Sequence, residues 1–135
     1  MEISLRGKTA VVTGGTHGIG RAMARRLADC EAKVFVFDVD TTPLDFGAEL
    51  VSCDVTSKES LQAAFEISGA PDVLLVNAGT GIVKPLAETT REVWDKTISL
   101  NLTAAFETLQ AGAALMKASG RGGAIVLTAS TNSYD

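Results

Sequence analysis

Five short runs of this chain are apolar on both faces: residues 8–13, 33–38, 49–54, 71–76 and 122–130. A strand that sits at a solvent boundary alternates apolar and polar residues, whereas one covered on both sides does not. Helical patterns stand among these runs. One begins at Gly18, with Ile19, Ala22, Met23 and Leu27 at three- and four-residue steps. A second spans 57–65, with Ser57 as its N-cap, and a long third spans 91–118. Buried strands alternating with helices read as βαβ units. The expected fold is therefore α/β, a doubly wound parallel sheet with helices on both faces, ending after its fifth strand. The 135 residues are expected to form a single, incomplete domain. In such sheets a ligand lies beyond the strand C-termini, so the residues just after each strand are the functional candidates.

Composition removes several alternatives. With 46% apolar residues the bulk of the chain is not disordered. Twelve basic against 16 acidic residues leave a net charge of −4, which offers no field for a nucleic acid. A single histidine rules out a His-rich metal site, and Cys30 and Cys53 lack a CxxC spacing. No apolar run is long enough to span a membrane, and no signal peptide is readable. The expectation is a cytoplasmic protein with no nucleic-acid or membrane partner.

The first run leads into Thr13-Gly14-Gly15-Thr16-His17-Gly18-Ile19-Gly20. A helix starting here aims its free backbone N–H groups and its positive end at whatever lies above. Glycines 14, 18 and 20 allow a sharp turn and let a diphosphate approach the backbone. Alone, such a turn is also what any strand-to-helix junction needs. The second run ends at Asp38, eighteen residues past Gly20, near the spacing of a ribose-binding acid. A carboxylate there accepts from both ribose hydroxyls and repels a 2′-phosphate. His17, usually neutral at pH 7, adds little positive charge against one. NAD is thus preferred to NADP, with Asp40 as the competing acid and a plain strand-end Asp as the bland alternative.

These residues resemble the short-chain dehydrogenase/reductase family. The glycine turn looks like its TGxxxGxG motif, with Gly14, Thr16, His17, Gly18, Ile19 and Gly20 at the cofactor. Asp54 and Val55 resemble its adenine-contacting pair, and Asn77-Ala78-Gly79 its NAG signature. Asn101 looks like the family's helix Asn, and Ser130 like the Ser that ends its fifth strand. The five motifs come in order from about residue 5 to 130. The resemblance implies a Rossmann-type fold and hydride transfer between NAD and an alcohol or carbonyl substrate. It implies that Ser130 binds the reacting oxygen and that Asn101 holds a proton-relaying water. It also implies a homo-oligomer formed through the long helix, the exposed edge of the fifth strand being the other surface open to pairing.

Each residue has a plainer reading: Asp54 as a turn residue before Ser57, Asn77 as a strap between strands, Asn101 as a surface Asn. Asn is a poor helix former, and its place inside the long helix suggests a break in the backbone ladder. Trp94, Phe106, Leu109 and Met116 read mainly as core against the sheet. The family's YxxxK proton donor has no counterpart here. Tyr134 is too close to Ser130, and Ser133 is a weaker competitor for the Ser role. The chain is therefore expected to be the N-terminal half of the enzyme and nearly inactive alone. Two rivals remain open: a non-catalytic NAD-binding module and a methyltransferase-type domain.

Overall fold

The computed structural model describes residues 3–131. Five strands form one sheet in the order β3-β2-β1-β4-β5, and every neighbouring pair is parallel. They are β1 (Thr9–Thr13), β2 (Lys33–Asp38), β3 (Ala48–Ser52), β4 (Val73–Val76) and β5 (Ala124–Leu127). Val11 of β1 pairs with Phe35 of β2 on one side and Leu74 of β4 on the other. Alternate residues then serve opposite faces. Val11, Phe35, Phe37 and Leu74 pack against helices α2 (Lys58–Ser68) and α4 (Ala104–Ser119) through Phe65 and Met116. Ala10, Val12, Val34 and Val36 pack toward α1 (Gly18–Asp29) and its buried Ala24. The double apolarity seen in sequence is thus two cores, one above the sheet and one below.

The order of strands reverses beside β1, which feeds β2 on one side and meets β4 on the other. That switch point opens a crevice between the two C-terminal edges. It is where the glycine turn and residues 77–79 come together.

Two strands differ in extent from the sequence expectation. β3 and β5 are shorter than the runs 49–54 and 122–130. No helix joins β2 to β3 among the described residues; nine residues, 39–47, make the connection. A crossover helix needs a longer segment, and Pro43 interrupts this one. Leu44 and Phe46 cover the sheet in the helix's place, with Arg25 stacked 5.1 Å above the Phe46 ring. The long helix is not continuous: α3 (Arg91–Ile98) and α4 flank a π-helical turn, Ser99–Thr103. Its widened ladder shows in the Ala104 N–H, which donates to the Ser99 carbonyl.

The core reading holds for Met116, which is buried, while Leu109 is half-buried. Trp94 and Phe106 are each 58% exposed, so they are not core residues. Helical periodicity shows that residues share a face without saying what covers it. β5 lies at the sheet edge as expected, with Val126 and Leu127 about half exposed.

Candidate functional site

A cleft of about 770 Å³ lies over the switch point. Its floor is the glycine turn: Gly14, His17, Gly18, Ile19 and Gly20 all line it. Asp38 at the end of β2, and Asp54 and Val55 after β3, close one side. Residues 77–79 after β4 close another. Thr16 does not face the cleft; it is buried beneath the turn.

The helix that starts on this floor is uncapped. His17 is the N-cap of α1 and its side chain accepts no bond from the helix. α2 and α3, by contrast, are capped by Ser57 and Thr90, which accept from the backbone of Ser60 and Val93. The first N–H groups of an α-helix have no partner within the helix, and at α1 the N-cap side chain does not supply one. They face the cleft with the positive end of the dipole behind them.

The glycines of this turn have different reasons. A Cβ at Gly20 would lie 2.0 Å from the Gly14 carbonyl oxygen and 2.5 Å from Asn77 Nδ2. Packing alone forbids a side chain there. Gly18 has φ +53°, and nothing lies within 4 Å of where a Cβ would stand. Its absent side chain leaves the cleft floor open, which is what a close-approaching diphosphate requires.

Asp38 acts first on the turn itself. Its Oδ2 accepts from the Thr16 N–H at 3.1 Å and the Thr16 hydroxyl at 2.8 Å. Its Oδ1 accepts from the Asp40 N–H at 3.0 Å. A carboxylate offers about four acceptor positions, so most are already engaged. Asp54 is a turn residue as well: Oδ1 takes both the N–H and hydroxyl of Thr56, at 2.9 and 2.6 Å. Next to it, Cys53 lines the cleft, and burial pushes its thiol pKa up.

Asn77 is a strap. Its Nδ2 donates to the Gly14 carbonyl at 3.0 Å, and its Oδ1 accepts from the Thr128 hydroxyl at 2.9 Å. The Thr13 hydroxyl accepts from the N–H groups of Asn77 and Ala78. The C-terminal edges of β1, β4 and β5 are tied together this way.

A second cleft, about 660 Å³, shares residues 77–79 with the first and brings Asn101 and Ser130 to one place. Both residues are exposed. Asn101 sits in the π turn, where its Oδ1 accepts from Thr80 N–H at 2.7 Å and its Nδ2 donates to Thr80 O at 2.8 Å. The break expected at this off-pattern Asn is therefore present, and its amide holds the loop after β4. Ser133 and Tyr134 lie outside the described residues.

Sequence reasoning missed Lys96, Ser99 and Leu100, which line the first cleft from the α3 side. Their three- and four-residue steps mark a shared helix face, but only the packing shows that it faces the cleft. Among the described residues no cluster of His, Cys, Asp and Glu could hold a metal, and no helix is long and apolar enough to cross a membrane.

The family model of the short-chain dehydrogenases matches residues 8–135. The chain belongs to that family. A tropinone reductase homolog of Arabidopsis thaliana is 36% identical over 140 residues, covering 93% of this chain and 52% of the relative. An oxidoreductase of Sarocladium schorii is 37% identical over 139 residues, covering 95% of this chain and 55% of its own length. A crystal structure of a short-chain type dehydrogenase/reductase from Mycobacterium marinum superposes with a TM-score of 0.90 at 29% identity, covering 98% of this chain and 57% of the other. The chain thus spans about half the length of the curated relatives it matches.

Proposed function

We propose that this chain is the cofactor-binding half of an NAD-dependent oxidoreductase that moves hydride between the nicotinamide and an alcohol or carbonyl carbon of a small molecule. The observation that carries the reading is the uncapped start of α1 beneath a cleft whose floor is left open at Gly18. The 14–20 turn would hold the diphosphate on backbone N–H groups. Asp38 would take the adenosine ribose with the acceptor capacity left beside Thr16, and its charge disfavours a 2′-phosphate. Asp54 and Val55 would border the adenine, and residues 77–79 the other ribose. Bound NAD supplies or accepts the hydride. Ser130 would donate a hydrogen bond to the substrate oxygen and raise the polarity of its carbonyl. Asn101 would position a water near it, from a loop it already holds through Thr80.

The general acid of this chemistry is not assigned to any residue of the chain, and the 135 residues alone should turn over poorly. The setting proposed is the cytoplasm. The assembly proposed is a homo-oligomer built through the exposed apolar side chains of 91–118, such as Trp94 and Phe106, or through the β5 edge. Fluorescence titration with NADH, NADPH and S-adenosylmethionine tests the cofactor reading. Tightest binding of NADH supports it, and tightest binding of S-adenosylmethionine overturns it in favour of a methyltransferase-type site.

A further inference from the structure

Three basic side chains stand along the start of α1, and all three are already engaged by one loop. His17 Nε2 lies 2.5 Å from Asp40 Oδ2. Arg21 and Arg25 each place an Nη2 at 2.7 Å from Asp45 Oδ1. Asp40 and Asp45 both belong to the helix-free connection 39–47. Of the three basic residues only His17 lines the cofactor cleft, which Asp38 lines as well. An ionised carboxylate only accepts, so the proton between the pair sits on Nε2 and that donor is spent on Asp40.

Asp40 is itself held in place. Its Oδ1 accepts from the Thr42 N–H at 2.8 Å and hydroxyl at 2.6 Å, and its own N–H donates to Asp38. The Thr42 hydroxyl first, and then His17, hold its carboxyl down to about 2, so it stays charged across the working range. The imidazole contacts Asp40, while Asp38 binds the adjacent Thr16 and Arg21 one turn along is engaged by Asp45.

We propose that Asp40 is a specificity-determining residue: by capturing the donor of His17 it withholds from a 2′-phosphate the one basic group of the glycine turn, so exclusion of NADP rests on the Asp40–His17 pair as well as on Asp38. This inference rests on the cofactor reading above. It differs from the Asp38 argument, because repulsion by Asp38 alone makes Asp40 and His17 irrelevant to the choice.

The test measures Kd for NADH, NADPH, 5′-AMP and adenosine 2′,5′-bisphosphate on four proteins: the unsubstituted chain, Asp40→Asn, His17→Gln and the double variant. Asp40→Asn frees the imidazole, and one charge-assisted contact to phosphate is worth on the order of tenfold. The NADPH and bisphosphate affinities should rise by about that factor, while NADH and 5′-AMP change by less than about threefold. His17→Gln alone should leave the NADPH/NADH ratio within about twofold, and in the double variant most of the gain should vanish. A gain kept in full by the double variant overturns the inference, since removal of a negative charge then suffices. So does a ratio that Asp40→Asn leaves unchanged while NADH still binds. Should Asp40→Asn fail to fold, Thr42→Val loosens the same carboxylate and should move the ratio in the same direction by a smaller factor. If neither NADH nor 5′-AMP binds the unsubstituted chain, the cofactor reading falls, and this inference with it.

Discussion

Replacing Asn77 by Ala tests whether the cleft is built by the strap described above. The substitution removes two side-chain hydrogen bonds, to Gly14 O at 3.0 Å and from the Thr128 hydroxyl at 2.9 Å. Each is worth about 1 kcal/mol net. The freed Gly14 carbonyl and Thr128 hydroxyl stay near solvent, since Gly14 is half-buried and Thr128 exposed, so little desolvation cost is added. The sum is about 2 kcal/mol. Urea unfolding followed by circular dichroism reads it. With a slope near 2 kcal/mol per molar, the midpoint should fall by about 1 M. Thr128→Val removes only one of the two bonds and should shift the midpoint by about half as much. In the double variant the Thr128 effect should disappear, because its acceptor is already gone. Equal losses for the two single variants would refute this geometry, as would an unchanged midpoint for Asn77→Ala.

Gly20→Ala should destabilise by about 1–3 kcal/mol through its collision with the Gly14 carbonyl, whereas Gly18→Ala should cost only about 1 kcal/mol of backbone strain and weaken NADH binding instead; melting curves and titration separate the two. Asp72 accepts from the Thr9 N–H and from Arg121, and these hold its pKa below the usual carboxylate value. Its folded pKa is depressed, so its stabilising contribution is present above the unfolded value near 4 and is lost as pH falls through the lower folded value. Melting temperature followed from pH 6 down to 2 should therefore decline less in Asp72→Asn than in the unsubstituted chain. Phe106→Ser removes an exposed ring from the surface proposed for self-association; sedimentation velocity should show a shift toward smaller species, and an unchanged distribution would rule that surface out.

The sheet was legible because burial on both faces leaves a run such as Val34-Phe35-Val36-Phe37 no polar positions to spend on water. The glycine turn was legible for a related reason: few residue types can occupy a floor as tight as that at Gly20. Asn101 stood out as a polar residue inside an apolar helix, and the π turn is its structural counterpart. Other features depend on tertiary placement. Nothing local says that the Thr16 hydroxyl consumes acceptor capacity at Asp38, because the two meet only when β1 and β2 pair. Lys96 joins the cleft through the rotation of α3, which periodicity does not fix against the sheet. Trp94 and Phe106 read as core because an apolar helix face looks the same whether a sheet or a partner covers it. The connection after β2 shows no helical pattern in the sequence either, and its nine residues are too few for a crossover helix.

The central claim is that the free start of α1 receives the negatively charged bridge of a dinucleotide. The most direct measurement is the change in backbone amide NMR shifts of the 135-residue chain as NADH is added. The expected result is that the largest changes fall on the amides of Gly18, Ile19 and Gly20, with smaller ones at Val39 and Val55. Saturable binding that leaves those three amides unmoved would contradict the claim, and so would shifts centred on another face of the sheet.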